Sequence, residues 1–194
     1  MSRAYKCDRC GALYESYEGE NRYDVLKPTK VMINSLAEDI LNVYDISVPI
    51  QNIGDIVEIL GGTIQKETSF SDGAVEKEGD GFRIIVSPYQ DEKRERFTIA
   101  HELGHLFLHM GYRTNKELWA RQENNIYHRI GSSEKEYQAN EFAAAFLMPA
   151  SEYLTVLKRI ADGNVVDTSK IAEYFNVSVE VAYNRGKFLG YLRW

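Results

Sequence analysis

The segment from Phe97 to Met110 constrains the fold of this 194-residue chain more than any other feature. Apolar residues occur on nearly all sides of it at helical spacing, so we expect a buried helix. His101, Glu102 and His105 lie within it, although buried polar side chains are costly unless something satisfies them. The two histidines are one turn apart on one face, so both imidazoles can reach one metal ion while Glu102 points at a water on that ion. Hydrogen-bonded core histidines are the alternative.

A zinc ion bound by two histidines needs a third protein ligand. The candidates by residue type and position are His109, His128, Glu123, Glu134, Glu136 and Glu141. On the helix predicted after the first motif, Glu136 lies at the centre of an apolar stripe, whereas Glu134 and Glu141 lie on the opposite, solvent-facing side. A lone carboxylate on a core-facing stripe requires a cation, which favours Glu136 over His109. Asn140, one turn from Glu136, could hold a ligand imidazole by its other nitrogen.

The order of the predicted elements indicates an α+β fold. A break at Pro28 separates a polar, Tyr-rich N-terminal extension, residues 1–27, from a domain formed by residues 28–194. Short alternating segments predict strands at 63–66, 73–78 and 82–87, the last two joined by a Glu-Gly-Asp-Gly hairpin turn. Helical spacing of apolar residues predicts helices at 31–44, 52–60, 91–110, 134–147, 151–161, 169–175 and 179–189. We therefore expect a small antiparallel sheet packed on a mainly helical domain.

The negative charge of the chain is concentrated in its middle. The net charge is −6, and residues 31–157 alone hold 20 acidic and 11 basic side chains. Because nucleic-acid binding relies on Lys and Arg contacts to phosphate, we expect no direct nucleic-acid partner. The longest apolar run, Phe142 to Ala150, has nine residues and is too short to cross a membrane. The charged N-terminus, without an apolar signal segment, and the two cysteines predict a cytoplasmic protein with reduced thiols.

Cys7 and Cys10 form a CxxC motif that is followed by Gly11. This pattern resembles one knuckle of a zinc ribbon, but a complete site needs a second pair, and the chain contains no other cysteine. Three interpretations stay open: an unoccupied knuckle, a metal half-site shared between two chains, and a redox pair. The first is favoured, so we expect one catalytic metal ion per chain.

The C-terminal residues, about 166–194, have the spacing of a helix-turn-helix. Such a pair of helices can bind DNA, dock a substrate or complete a core. The local charge, six basic against four acidic residues from position 158 onward, is too weak for tight phosphate contact by itself. Packing or substrate docking is therefore favoured over DNA binding.

Two segments have the pattern of a known family. The first, from Arg96 to His109, is Arg-Phe-Thr-Ile-Ala-His-Glu-Leu-Gly-His-Leu-Phe-Leu-His. The second, from Glu136 to Pro149, is Glu-Tyr-Gln-Ala-Asn-Glu-Phe-Ala-Ala-Ala-Phe-Leu-Met-Pro. Together they resemble the ImmA/IrrE family of bacterial metallopeptidases, and the resemblance extends from about Val31 to the C-terminus.

This resemblance implies a compact zinc protease with a thermolysin-like pair of helices. In it, His101, His105 and Glu136 would bind zinc, and Glu102 would be the catalytic acid/base. Members of the family typically cleave helix-turn-helix transcriptional repressors encoded beside them, which releases mobile-element or stress-response genes. The expected function is therefore a zinc endopeptidase with such a repressor as its protein partner.

The loop between the two motif helices contains three candidates for stabilising the oxyanion, namely Tyr112, Tyr127 and His128. Two other functions compete with cleavage. The chain could bind a repressor without cutting it, as an antitoxin-like module does. It could also regulate transcription by binding DNA through its C-terminal helices.

Overall fold

The computed structural model describes residues 28–69, 72–122, 133–163 and 165–193, and the backbone of residues 3–6 and 13–16. The last two segments are β1 (Arg3–Lys6) and β2 (Leu13–Ser16), which pair as antiparallel strands. The other strands are β3 (Gly62–Lys66), β4 (Gly73–Glu78) and β5 (Gly81–Val86). The helices are α1 (Lys30–Val43), α2 (Ile53–Leu60), α3 (Glu92–Leu108), α4 (Lys116–Arg121), α5 (Ser133–Leu147), α6 (Ala150–Ile160), α7 (Thr168–Phe175) and α8 (Val179–Phe188). This set of helices and strands confirms the expected α+β class.

The first two helices begin and end at residues suited to capping. Thr29 accepts a hydrogen bond from the Met32 amide at the start of α1, and Asn52 accepts one from the Gly54 amide at the start of α2. Helix α2 ends at Gly61, whose φ of 92° favours glycine and turns the chain directly into β3. The helices predicted at 31–44 and 52–60 are confirmed to within one residue at each end.

The three-stranded sheet is mixed, so the expectation of an antiparallel sheet is correct for only one of its two strand pairs. The order is β3-β5-β4, in which β5 pairs antiparallel with β4 through the predicted hairpin and parallel with β3. Alternation along a segment identifies a strand but does not determine which strands become neighbours. Here β5 is the most buried of the three, with Phe82, Ile84, Ile85 and Val86 in the core, and the central position covers both of its edges.

Helices α3 and α5 pack along each other at the centre of the molecule. As the sequence predicts, α3 is buried over most of its length. Its Gly104 lies where a Cβ would come within 2.9 Å of the Cα of Ala139 on α5. A larger residue would push the two helices apart, so this glycine permits the close approach that brings their polar side chains together.

The opposite side of α5 is covered as well, by α1 and α8. The expectation that Glu141 faces solvent is wrong, because its side chain is only 8% exposed. One of its oxygens, Oε1, accepts a hydrogen bond from Asn34 Nδ2 on α1 at 2.7 Å and lies 3.3 Å from Arg185 Nη1 on α8. Helix α5 is an interior helix with neighbours on two sides, so it has a second buried face that its apolar stripe does not mark.

The C-terminal helices belong to the core. Ile171, Phe175 and Ala182 are buried, and the Tyr153 hydroxyl of α6 donates to the carbonyl of Ala182 at 2.8 Å. Asn176 ends α7 with a φ of 51°, a conformation that Asn tolerates better than most residues. Among the described helices, none combines the length and hydropathy needed to span a membrane.

Helix α4 has no counterpart among the predicted elements. None of its six residues is fully buried, and six residues are too few for apolar positions to repeat at helical spacing. It begins at Asn115, whose side chain accepts a hydrogen bond from the Leu118 amide at 3.0 Å.

Candidate metal centre

His101 and His105 lie one turn apart on the same side of α3. The helix begins at Asp91, whose carboxylate accepts a hydrogen bond from the Arg94 amide at 3.1 Å. Both histidines are almost completely buried, with 5% and 1% of their surfaces exposed. Their Nε2 atoms lie 3.0 Å apart. Helix α3 thus presents two imidazoles side by side where little water reaches them.

Glu136 on α5 completes a group of three potential ligands. Its Oε2 lies 3.3 Å from His101 Nε2, and its Oε1 lies 3.3 Å from His105 Nε2. The ligand atoms of the three residues all lie within 4.8 Å of one another. No second group of this kind occurs in the part of the chain that the structure describes.

The chemistry of this group suits a metal ion. Ligand atoms placed tetrahedrally around zinc at its usual bond lengths are about 3.3–3.4 Å apart, close to the 3.0 and 3.3 Å separations here. Behind His101, Asn140 Oδ1 lies 2.9 Å from the Nδ1 atom. Because an amide oxygen can only accept, this contact puts the imidazole proton on Nδ1 and leaves the Nε2 lone pair directed toward Glu136. The residues present therefore fit a bound metal ion.

His109, the alternative third ligand, is not a member of the three-residue group and contacts His105 on the Nδ1 side, away from the other two residues. Its Nδ1 lies 2.9 Å from His105 Nδ1, and its Nε2 lies 2.9 Å from Gln138 Oε1. Burial lowers the pKa of His109 below its usual value, and the hydrogen bond to Gln138 opposes this shift. Sequence reasoning did not identify Gln138, because its position becomes meaningful only when α5 lies against α3.

Glu102 is 2% exposed and follows His101 on α3. Gly73, the first residue of β4, packs closely against this part of α3. A Cβ at this position would lie 2.9 Å from Glu102 Oε1 and 2.5 Å from Thr98 Cγ2. Any other residue at position 73 would collide with these side chains or displace them. No pattern in the sequence marks Gly73 for this role, because the contact exists only where the strand packs on the helix.

Among the candidates for stabilising an oxyanion, only Tyr112 lies in the described part of the chain, and its role stays a prediction. It is 3% exposed, and its hydroxyl donates to the carbonyl of Leu60 at the end of α2 at 2.7 Å. An oxyanion would have to compete with that carbonyl for the only phenolic proton. The other candidates, Tyr127 and His128, and the CxxC residues Cys7 and Cys10 lie outside the described residues, so their roles stay predictions.

A cleft of about 580 Å³ lies beside Asn140, whose Oδ1 contacts His101 on its Nδ1 side, away from the three-residue group. Lys30 lines it too, with its Nζ 4.8 Å from the centre of the Phe188 ring and 5.2 Å from that of Tyr137. A cavity of this size can hold a small molecule or the side chains of a bound peptide. Its apolar wall comes from α3, α5 and α8 and includes Phe97, Ala144, Val181 and Phe188.

Comparison with known proteins identifies a family and a fold. The family model of the IrrE N-terminal-like domain, Peptidase M78, matches residues 65–187, which is more than half of the chain and includes both motif helices. No curated protein matches significantly. Among solved structures, a Mycobacterium tuberculosis transcriptional regulator is similar, with a TM-score of 0.52 and 19% sequence identity. The similarity covers 79% of this chain but only 46% of that one, and at this identity it shows a shared fold alone.

Proposed function

This chain belongs to the IrrE N-terminal-like, Peptidase M78 family, and from that premise we propose that it is a zinc-dependent endopeptidase. The family supports a metallopeptidase-type hydrolase. The proposal rests on one observation: His101, His105 and Glu136 converge from two packed helices, with Glu102 buried on the same stretch of α3.

Zinc is proposed because of its ligand preference. Two imidazoles and one carboxylate are a usual set for catalytic zinc, whereas magnesium and calcium prefer oxygen ligands throughout. When bound, zinc would lower the pKa of a coordinated water to about 7 and polarise the carbonyl of a peptide bond. His101, His105 and Glu136 are the residues that would hold it.

Glu102 is the group that moves protons in the proposed reaction. Its carboxylate accepts a proton from the attacking water and then delivers that proton to the amine nitrogen that leaves as the peptide C–N bond breaks. The backbone of Gly73 lies beside this carboxylate, and Glu102 is only 2% exposed, so its motion is restricted and bulk water is largely excluded. The proton is therefore transferred at a defined position beside the histidines.

The proposed substrate is a helix-turn-helix transcriptional repressor encoded nearby. Its choice follows from the resemblance to the family, and two features of this chain support a protein substrate. The cleft beside Asn140 offers an apolar wall that an apolar side chain of a bound protein can contact. The acidic excess of residues 31–157 complements a basic, DNA-binding surface on the substrate.

Glu102→Gln tests the catalytic assignment. We expect this variant to keep one zinc ion per chain and to cleave the neighbouring repressor about 10²–10⁴-fold more slowly, because the amide cannot accept the proton. Glu58→Gln removes the same charge from an exposed position on α2 and should cleave at the wild-type rate. Undiminished cleavage by the Glu102 variant would contradict the assignment.

The same repressor separates the two competing functions when it is incubated with the protein, with and without a chelator. A fragment that disappears with chelator indicates a peptidase, an intact stoichiometric complex indicates a binding module, and a shifted DNA probe indicates a regulator. Helix α8 argues against the last of these, because Arg185 is buried. Its other cation, Lys187, is half-buried, and its exposed side chains are uncharged or acidic and comprise Val179, Glu180, Tyr183 and Asn184.

A further inference from the structure

A series of hydrogen-bonding groups extends outward from the second histidine of the proposed metal site. His105 Nδ1 lies 2.9 Å from His109 Nδ1, and His109 Nε2 lies 2.9 Å from Gln138 Oε1. His109 follows His105 by one turn and is the C-terminal cap of α3, while Gln138 comes from α5. Gln138 is 6% exposed and His109 is half-buried, so water competes little for these contacts.

The acceptor at the end of the series determines where each proton lies. The amide oxygen of Gln138 has no proton to donate, so its contact requires a proton on His109 Nε2. A neutral imidazole has one such proton, which makes His109 Nδ1 an acceptor. His105 must then donate from its Nδ1. The lone pair of His105 Nε2 is thereby directed at His101 and Glu136.

We propose that Gln138 and His109, here called the tautomer relay, select the metal-binding tautomer of His105. Both are positioning residues, because they act through His105 and not on the substrate. The inference rests on the proposed function in one respect, that His105 is a metal ligand. The tautomer of His101 is set in a similar way by a single contact, because Asn140 Oδ1 lies 2.9 Å from His101 Nδ1.

The tautomer relay also explains why His109 follows the motif at one further turn without joining the ligand group. A histidine that holds its proton on Nε2 cannot bind a metal ion through that atom. Removing the acceptor at the end of the relay removes the contact that requires a proton on His109 Nε2, so the incompetent form of His105 becomes accessible. Substitutions of such outer partners typically reduce metal affinity about 10–100-fold.

NMR can locate these protons directly. In protein labelled with ¹⁵N at histidine and held at mildly alkaline pH, two-bond ¹H–¹⁵N correlations distinguish a proton on Nδ1 from one on Nε2. We expect His109 to be protonated on Nε2 and His105 on Nδ1, in both the metal-free and the zinc-loaded chain. The chain has four histidines, so single substitutions suffice to assign them. A His109 proton on Nδ1 would overturn the proposal.

Substitutions at Gln138 separate this role from packing. Gln138→Met keeps a long unbranched side chain but removes the acceptor, so we expect mixed tautomers at His109 and about 10–100-fold weaker zinc binding in competition with a chromophoric chelator. Gln138→Glu restores an acceptor oxygen and should restore both readouts. Gln122→Met makes the same chemical change at the end of α4 and should bind zinc as the wild type does.

An equal loss of affinity in the Met and Glu variants of Gln138, or no loss in either, would refute the relay. If the Met variant does not fold, the wild-type spectra still decide. Neither readout depends on catalysis. Wild-type protein that shows the expected tautomers without cleaving a repressor would refute only the proposed function, whereas cleavage with a His109 proton on Nδ1 would refute only the relay.

Discussion

Helix α5 has two carboxylates on different sides, and their partners differ in kind. Glu141 faces a cation that belongs to the chain, with Arg185 Nη1 at 3.3 Å. Glu136 faces His101 and His105, whose outer nitrogens contact groups behind them. The polypeptide itself supplies the cation for Glu141. The carboxylate of Glu136 and the two imidazoles instead direct several lone pairs at one place, which suits a cation taken up from solution. Two glutamates on one helix therefore have different roles: Glu141 suits a structural ion pair, and Glu136 suits metal binding.

The largest expected effect on stability is that of Glu141→Gln. It removes the nearest opposite charge from the buried Arg185 guanidinium, and we expect the free energy of unfolding to fall by about 3–5 kcal/mol. Burial already lowers the pKa of Arg185, and the Glu141 carboxylate opposes that shift. Urea unfolding of the metal-free protein measures the loss. Glu180→Gln, at an exposed position on α8, is the control and should change stability little; a similar loss in both variants would show that the buried pair is not its cause.

The stabilisation by added zinc should show the reverse order, because it should depend on Glu136 and not on Glu141. A ligand that binds only the folded chain stabilises it by about 4 kcal/mol at a free concentration 1,000 times its Kd. We expect zinc to raise the Tm of the wild type and of Glu141→Gln by comparable amounts, and that of Glu136→Gln much less. Calorimetry with zinc or with EDTA provides the measurement. If zinc raised the Tm of Glu136→Gln as much as that of the wild type, the Glu136 carboxylate would not be a ligand of the metal.

A smaller change in the free energy of unfolding should appear at alkaline pH, and it should come from the side of α5 that faces the C-terminal helices. Burial raises the pKa of Tyr153 from 10.0 to about 12, although nearby Arg185 lowers it in part. Between these values the folded chain keeps a proton that the unfolded chain has lost. The stabilising contribution is therefore complete below pH 10 and is lost as the pH rises toward 12, by about 2–3 kcal/mol in total.

Tyr153→Phe provides the comparison for this alkaline loss. Urea unfolding at a series of pH values should show a shallower decline in the Phe variant than in the wild type, because the variant has no phenolic proton to lose. Identical slopes would assign the decline to other groups. Zinc should leave the difference between the two proteins unchanged, since the Tyr153 hydroxyl bonds to Ala182 on the structural side.

Much of the fold could be predicted because its signals lie within single segments. The helices predicted at 52–60 and 91–110 are present, with Asn52 and Asp91 as their N-terminal caps and Gly61 at the end of α2. The hairpin between β4 and β5 follows from its Gly-rich turn. Helix α4 escaped prediction because six residues are too few for apolar positions to repeat at helical spacing.

The burial of Glu141 and the order of the sheet could not be predicted in the same way. A helical wheel distinguishes polar from apolar faces, but it does not show that Arg185, 44 positions later, returns to cover the polar one. Likewise, the alternation in β5 marks a strand without showing that β3 will pair along its other edge. Both outcomes depend on how separate elements meet.

The pair His101 and His105 is encoded locally, because helix geometry alone brings residues four positions apart onto one face. The motif, the turn residues and the periodicity of apolar positions are therefore sufficient to indicate an α+β protein with a metal site. Contacts between distant segments required the folded chain. Close packing at Gly104, the enclosure of Glu102 by Gly73 and the contact of His109 with α5 depend on which surfaces pack together, and no single segment encodes that outcome.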